Sequence, residues 1–274
     1  MPVVSGTNEY ALGSDGAEQE RLIRQAAWLA APTERFFRAA GIGPGQRVLD
    51  LGSGVGDVAL IAGRIVGSAG EVVGAERDPR AIARATARMA EFGLKHVRFT
   101  QMDVSDLPIE QPFDAAVGRY ILMFLRDQAE VLRFVSKIVR PGGVIAFQEP
   151  CWEAFLQACE GLPLWSAGAA LMVDTFHRTG TNTRMGADLP ATFQAAGLPE
   201  PALQTDTLVG AERWMPDVIQ TLAPQMRALN LPLGSLGDLR TLYERLLEEA
   251  ASRNVPPPLP AIIGAWSLKP ERHP

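Results

Sequence analysis

The chain has 274 residues, 47 % of them hydrophobic and 21 % charged, with a formal net charge of −5. That balance fits a globular enzyme and excludes a disordered chain. The acidic excess repels phosphate backbones, so nucleic acid is not an expected partner.

The two cysteines, Cys151 and Cys159, make no disulfide framework, and no Cys/His cluster has metal-ligand spacing, so no metal is expected. The opening MPVVSGTNEYALGSDG lacks a basic start followed by an apolar run. No apolar stretch reaches the roughly 18 residues of a membrane span. These features lead to the expectation of a cytoplasmic protein without signal peptide or membrane span, a homo-oligomer remaining open.

Taken in chain order, Ala17–Ala40 has a helical stripe of Leu22, Ile23, Ala26 and Leu29, stopped by Gly41, Gly43, Pro44 and Gly45. Arg47–Leu51 reads as a buried strand, Asp57–Val66 as an apolar helix and Glu71–Glu76 as a second strand. Asp78 and Pro79 read as N-cap and first-turn proline of the next helix. Val97–Met102 and Phe113–Arg119 follow as the third and fourth strands, and Asp127 with Glu130 resembles a capping box. Pro141-Gly142-Gly143 is expected to end that helix before a fifth strand, Val144–Gln148. Beyond Pro150 the rhythm changes: 151–183 is partly helical, Leu189–Ala196 a helix, Leu203–Val209 a strand, 211–258 helical and Ala261–Leu268 a last strand.

Strands alternating with helices imply an α/β fold with a parallel sheet covered on both faces. Ligands in such sheets bind beyond the carboxyl ends of the strands. The expected organisation is an N-terminal helical segment (1–40), a core (41–150, resumed at 184–210 and 259–274) and two helical cap insertions (151–183 and 211–258).

The segment Asp50-Leu51-Gly52-Ser53-Gly54-Val55-Gly56-Asp57 joins the first strand to its helix. Glycines there let the chain turn tightly and let a ligand touch the backbone. A dinucleotide turn also does this, but its fingerprint is G-x-G-x-x-G, whereas this chain has G-x-G-x-G with Asp57 in the sixth position. A carboxylate there would repel a pyrophosphate more than a ligand carrying sulfonium and ammonium groups. Glu76 ends the second strand, where a carboxylate can accept two hydrogen bonds from a ribose diol. Asp103, after the third strand, can accept from an exocyclic amine.

With these residues in view, D-L-G-S-G-V-G resembles the first motif of class I S-adenosylmethionine-dependent methyltransferases. The stretches F-D-A-A-V-G-R-Y and R-P-G-G-V-I-A-F resemble their fourth and fifth strands. The nearest likeness is to the ubiquinone/menaquinone biosynthesis and natural-product branch, close over about residues 40–150 and loose near the strands at 203 and 261. The resemblance implies a Rossmann-like doubly wound seven-stranded sheet, order 3-2-1-4-5-7-6 with the last strand antiparallel. It implies S-adenosylmethionine as cofactor, with Glu76 on the ribose, Asp103 on the adenine side and Asp50 orienting the amino-acid end. Tyr10, Gly52, Gly54, Gly56, Arg77, Val104 and Arg119 complete the expected cofactor set. Tyr10 would contact the sulfonium from an N-terminal segment folded over the cofactor, and Arg119 would hold the cofactor carboxylate or an acidic substrate.

Methyl transfer is an in-line displacement in which alignment supplies much of the acceleration, and a base is needed only if the acceptor must lose a proton. No N-P-P-Y-like motif follows the fourth strand. Glu149 and His177 are the candidate bases, the former also a cation stabiliser; His96 and His273 are poorly placed, and Cys151 reads as a packed small side chain. Trp152, Trp165, Met172, Met185, Trp214 and Met215 suggest an apolar pocket for a small-molecule acceptor. A nicotinamide-dependent oxidoreductase, or a non-methylating binding protein or cyclase on the same fold, stays open.

Overall fold

The computed structural model describes residues 16–102 and 112–271. Tyr10, Asp103 and Val104 lie outside the described residues. Among those described, no helix is long and apolar enough to cross a membrane.

After α1 (Gly16–Ala39), the chain alternates β1 (Arg47–Leu51), α2 (Asp57–Val66), β2 (Glu71–Glu76), α3 (Pro79–Glu91), β3 (Val97–Gln101) and β4 (Phe113–Arg119). A 3-10 turn at Leu122–Phe124 leads to α4 (Gln128–Ile138) and β5 (Val139–Cys151). Then come α5 (Trp152–Ala158), α6 (Pro163–Arg178), α7 (Met185–Ala195), β6 (Ala202–Thr207), α8 (Trp214–Ala228), α9 (Leu242–Ser252) and β7 (Ala261–Leu268). The strands form one seven-stranded sheet in the order β3-β2-β1-β4-β5-β7-β6. β1 to β5 pair in parallel, and β7 runs antiparallel between β5 and β6. This is the expected doubly wound order.

The local signals act as read. Asp78 caps α3 by accepting from the Arg80 amide at 2.9 Å, and Asp127 caps α4 by accepting from the Glu130 amide at 2.7 Å. Several boundaries differ, among them β6, expected over Leu203–Val209 and found at Ala202–Thr207. Pro141-Gly142-Gly143 does not end α4, which stops at Ile138; these residues lie inside β5. The Gly142 amide donates to the Lys269 carbonyl at 2.9 Å and the Lys269 amide to the Gly143 carbonyl at 2.8 Å, so tertiary pairing draws this turn sequence into the sheet. The register shift between Phe113 and Ala115 on β4 absorbs the irregularity. α7 begins at Met185, a turn before the expected Leu189, with Pro190 in its interior.

Successive strand residues serve opposite faces, as the pleat requires. Val48, Val72, Val117 and Ala146 point toward α1, α2 and α3 in one buried cluster. Leu49, Val73, Ala116 and Ile145 point toward α4 and α7 in another. A third cluster packs α6, α8 and α9 on one another through Trp165, Met172, Ile219, Leu222, Leu242 and Leu246, and takes in Trp152, which directly follows β5.

The N-terminal helix is keyed to the sheet by Phe36, fully buried, whose ring meets that of Trp266 edge-on at 5.6 Å. Phe36→Ala is expected to lower the unfolding free energy by about 3–5 kcal/mol, the usual loss for a buried phenylalanine. Urea denaturation measures this; a loss well under about 1 kcal/mol would show that α1 does not share the sheet's core.

Candidate cofactor and acceptor site

A cavity of about 570 Å³ opens at the carboxyl ends of β1, β2 and β4. Crossovers leave β1 toward β2 and β3 on one side, while β4 and β5 lie on the other, so the crevice falls where the strand order reverses.

The turn after β1 supplies its floor. Gly52, Gly54 and Gly56 have φ of 65°, 51° and 85°, a left-handed region that side chains disfavour. The amides of Gly52 and Ser53 donate to the Ala75 carbonyl at 2.9 and 3.1 Å, fastening the turn to β2. A Cβ on Gly52 would come within 2.5 Å of the Ile121 side chain, whereas one on Gly54 would meet no atom within 4 Å. Gly52 is thus needed for protein packing, and Gly54 leaves room open on the cavity floor.

Glu76, at the end of β2, is half-buried on the same wall. Its Oε2 accepts from the Gly54 amide at 2.9 Å and its Oε1 from the amides of Arg77 and Asp78 at 2.7 and 3.0 Å. The carboxylate therefore faces the glycine turn, and exposed Arg77 lines the cavity beside it. A carboxylate at a strand end above an open glycine floor fits a nucleoside with a ribose diol.

Asp57, at the start of α2, pairs with Arg88 at 2.7 Å. Its charge is compensated, so the repulsion of a pyrophosphate inferred from the sequence loses force; the glycine spacing remains. Asp50 is buried beneath the turn and does not form the cavity wall. Burial pushes its pKa well up, partly offset by the Arg119 charge and a hydrogen bond from the Ala59 backbone. Arg119 reaches the wall. Its Nη1 donates to Thr33 Oγ1 at 3.0 Å, and burial lowers its pKa.

The far wall is aromatic and comes from the turn after β4 and from α5, α6 and α8. Phe124, Phe176, Trp152 and Trp214 stand in a row, with successive ring centroids 6.5, 5.5 and 5.4 Å apart. All four line the same cavity as Gly52, Gly54 and Glu76. Tyr120, between the two regions, is half-buried against both neighbouring cores, and desolvation raises the pKa of its hydroxyl.

Two expected site residues stand off this wall. Glu149 is 0 % exposed; its Oε1 accepts from the amides of Ile121 and Leu122 at 3.1 and 2.8 Å. Burial pushes its pKa up to about 8 against the lowering by those amides. The wall there is made by Pro150 and Trp152 instead. His177, on α6, bonds through Nε2 to Thr183 Oγ1 at 2.7 Å and lines a separate depression with Arg126 and Asn182.

Sequence reading missed part of the wall contributed by α1. Glu18, Arg21 and Gln25 are buried there, with Glu18 and Arg21 paired at 2.6 Å and Arg21 Nη1 donating to Gln25 Oε1 at 2.6 Å. Their i, i+3 and i+4 spacing was the available signal; it marks mutual contact but not the burial.

Comparison with known proteins follows the same lines. The model of a family described as "Methyltransferase domain" matches residues 42–197, more than half of the chain. The ubiquinone/menaquinone biosynthesis C-methyltransferase UbiE of Vibrio vulnificus is 28 % identical over 171 residues, which cover 58 % of this chain and 66 % of that relative. The chain thus spans just under two thirds of that relative's length. A solved S-adenosylmethionine-dependent methyltransferase from Aquifex aeolicus shares the fold with a TM-score of 0.56 at 13 % identity, over 93 % of this chain and 98 % of that one. The [4+2]-cyclase SpnF also shares it, with a TM-score of 0.55 at 20 % identity, over 89 % and 82 %. With the matched family model, the sheet order and the glycine turn in agreement, this chain belongs to the class I S-adenosylmethionine-dependent methyltransferases, and S-adenosylmethionine is its cofactor.

Proposed function

We propose that the chain transfers the methyl group of S-adenosylmethionine to a small, largely apolar acceptor such as a quinone, polyketide or terpenoid. One observation carries this reading: a single cavity joins the glycine turn and Glu76 to the aromatic row of the far wall. A protein or polynucleotide acceptor would need an open rim, and here rings from both insertions cover the far side. Two free cysteines suit a reducing compartment, and the proposal places the protein in the cytoplasm.

The bound cofactor supplies an electrophilic methyl on a sulfonium. The chain's own residues bind, orient and exclude water. Glu76 accepts from the ribose diol, and the bare backbone of Gly54 leaves the room that the nucleoside needs. Arg119, a half-buried cation whose guanidinium bonds to a neutral hydroxyl, is suited to a carboxylate. Asp50 acts on the amino-acid end from beneath the turn, through intervening groups. The row Phe124, Phe176, Trp152 and Trp214 receives the acceptor against ring edges and faces and keeps water away. Because Glu149 and His177 stand off the wall, no proton transfer is assigned to either, and acceleration comes from alignment.

Glu76→Ala is expected to raise the Kd for S-adenosylmethionine about 10- to 100-fold, the loss of charged hydrogen bonds worth roughly 1–3 kcal/mol. Isothermal titration reads this, and an unchanged Kd would remove Glu76 from the site. Gly54→Val is expected to abolish binding while circular dichroism keeps the wild-type spectrum, because the branched side chain fills the cavity floor. Normal binding by that variant would reduce the glycine to a turn residue. Methyl transfer itself is tested with methyl-labelled cofactor against a panel of phenols, quinols, polyketides and terpenoids. The product should gain one labelled methyl; an acceptor converted at unchanged mass would overturn transfer in favour of cyclisation.

A further inference from the structure

Tyr120 is one of three described non-glycine residues with positive φ, at 56°. The other two, Asn230 and Asn254, are of the type that tolerates this region; a tyrosine there is uncommon and needs surroundings that hold it. It stands where the wall passes from the cofactor turn to the aromatic row.

The holding contacts come from β5. The Tyr120 amide donates to the Gln148 carbonyl at 2.9 Å. The next two amides, Ile121 and Leu122, both donate to Glu149 Oε1. They open the 3-10 turn Leu122–Phe124, whose first N–H groups have no partner within the turn itself. The Met123 amide adds to the backbone bonding of this carboxyl, and Glu149 Oε2 has no hydrogen-bond partner, so the bonding comes from successive amides of this one turn.

The turn so held locks into the cofactor floor. The Ile121 side chain fills the hollow over Gly52, where a Cβ would lie 2.5 Å from it, and shares with the Phe147 ring the hollow over Gly118, where a Cβ would lie 2.6 Å from the ring and 2.8 Å from Ile121. Moving Ile121 therefore moves a wedge seated on the glycine turn as well as the ring of Tyr120.

We propose that Glu149 is a positioning residue: by holding the Ile121 and Leu122 amides, it keeps Tyr120 in its left-handed conformation and seats Ile121 on Gly52, so the cofactor floor and acceptor wall stay in register. This rests on the reading of the cavity as a methyl-transfer site. Burial favours the neutral carboxyl, and glutamine reproduces its shape and its accepting oxygen. Leucine keeps the volume and accepts nothing.

The test uses the full chain labelled with 3-fluorotyrosine. It has three tyrosines, and Tyr120→Phe assigns the fluorine resonance of interest. Glu149→Gln should leave the Tyr120 resonance in place and the Kd for S-adenosylmethionine within about twofold. Glu149→Leu should shift or split that resonance and raise the Kd about tenfold or more, the scale of losing two hydrogen bonds. The Tyr243 resonance, from a ring packed under Arg213 in the cap, should stay unchanged and report an intact fold. An unmoved Tyr120 resonance in Glu149→Leu, or a Gln variant as impaired as the Leu variant, overturns the proposal. If Glu149→Leu does not fold, adding Tyr120→Gly should restore folding, because glycine takes positive φ without strain; no restoration overturns it too. A wild-type chain that binds no S-adenosylmethionine would instead overturn the methyl-transfer reading, while the fluorine resonances still decide the role of Glu149.

Discussion

The reversal of strand order at β1 is the constraint on which the rest depends. A right-handed crossover from β1 leads to β2, whereas β4 lies on the other side of β1, so the connections after β1 and β4 part above the sheet. Ile121, from the turn after β4, takes the space that a side chain on Gly52 would need, Phe147 and Ile121 together take that of Gly118, and Gly54 faces the opening that remains. The glycine turn and the turn after β4 are two sides of one steric solution.

Charge in the crevice is handled by burial and pairing. Asp57 is offset by Arg88, Glu18 by Arg21, and Glu76 by three backbone amides. Among the described residues Arg119 has no ion-pair partner of this kind and bonds to a threonine hydroxyl. Asp50 and Glu149 are buried beneath the two turns, where desolvation favours their neutral forms. The polar groups of the site therefore divide into those that meet a ligand and those that brace the backbone meeting it.

The parts of this arrangement carried by local chemistry were legible in the sequence. β1, β2 and β4 follow from short apolar runs, the caps at Asp78 and Asp127 from their spacing, and the ligand turn from three glycines between strand and helix. Parts set by distant partners were not. Pro141-Gly142-Gly143 has the look of a helix stop, yet Lys269, far along the chain, pairs it into β5. Asp57 reads as an uncompensated charge until Arg88 is seen beside it. Glu149 sits at a strand end, where the pleat decides whether a side chain meets the ligand or the next turn, and one residue of register separates the two. Tyr120 and Ile121 gave no signal, since nothing local marks a tyrosine for positive φ or an isoleucine as a wedge.

Helices α6, α8 and α9 share a buried cluster that also takes in Leu29 of α1, Trp152 of α5 and Ile262 of β7. Sequence change can accumulate there with little effect on the strands that hold the cofactor. On the proposed function, a change of acceptor then calls for repacking these helices, while the glycine turn and Glu76 stay as they are.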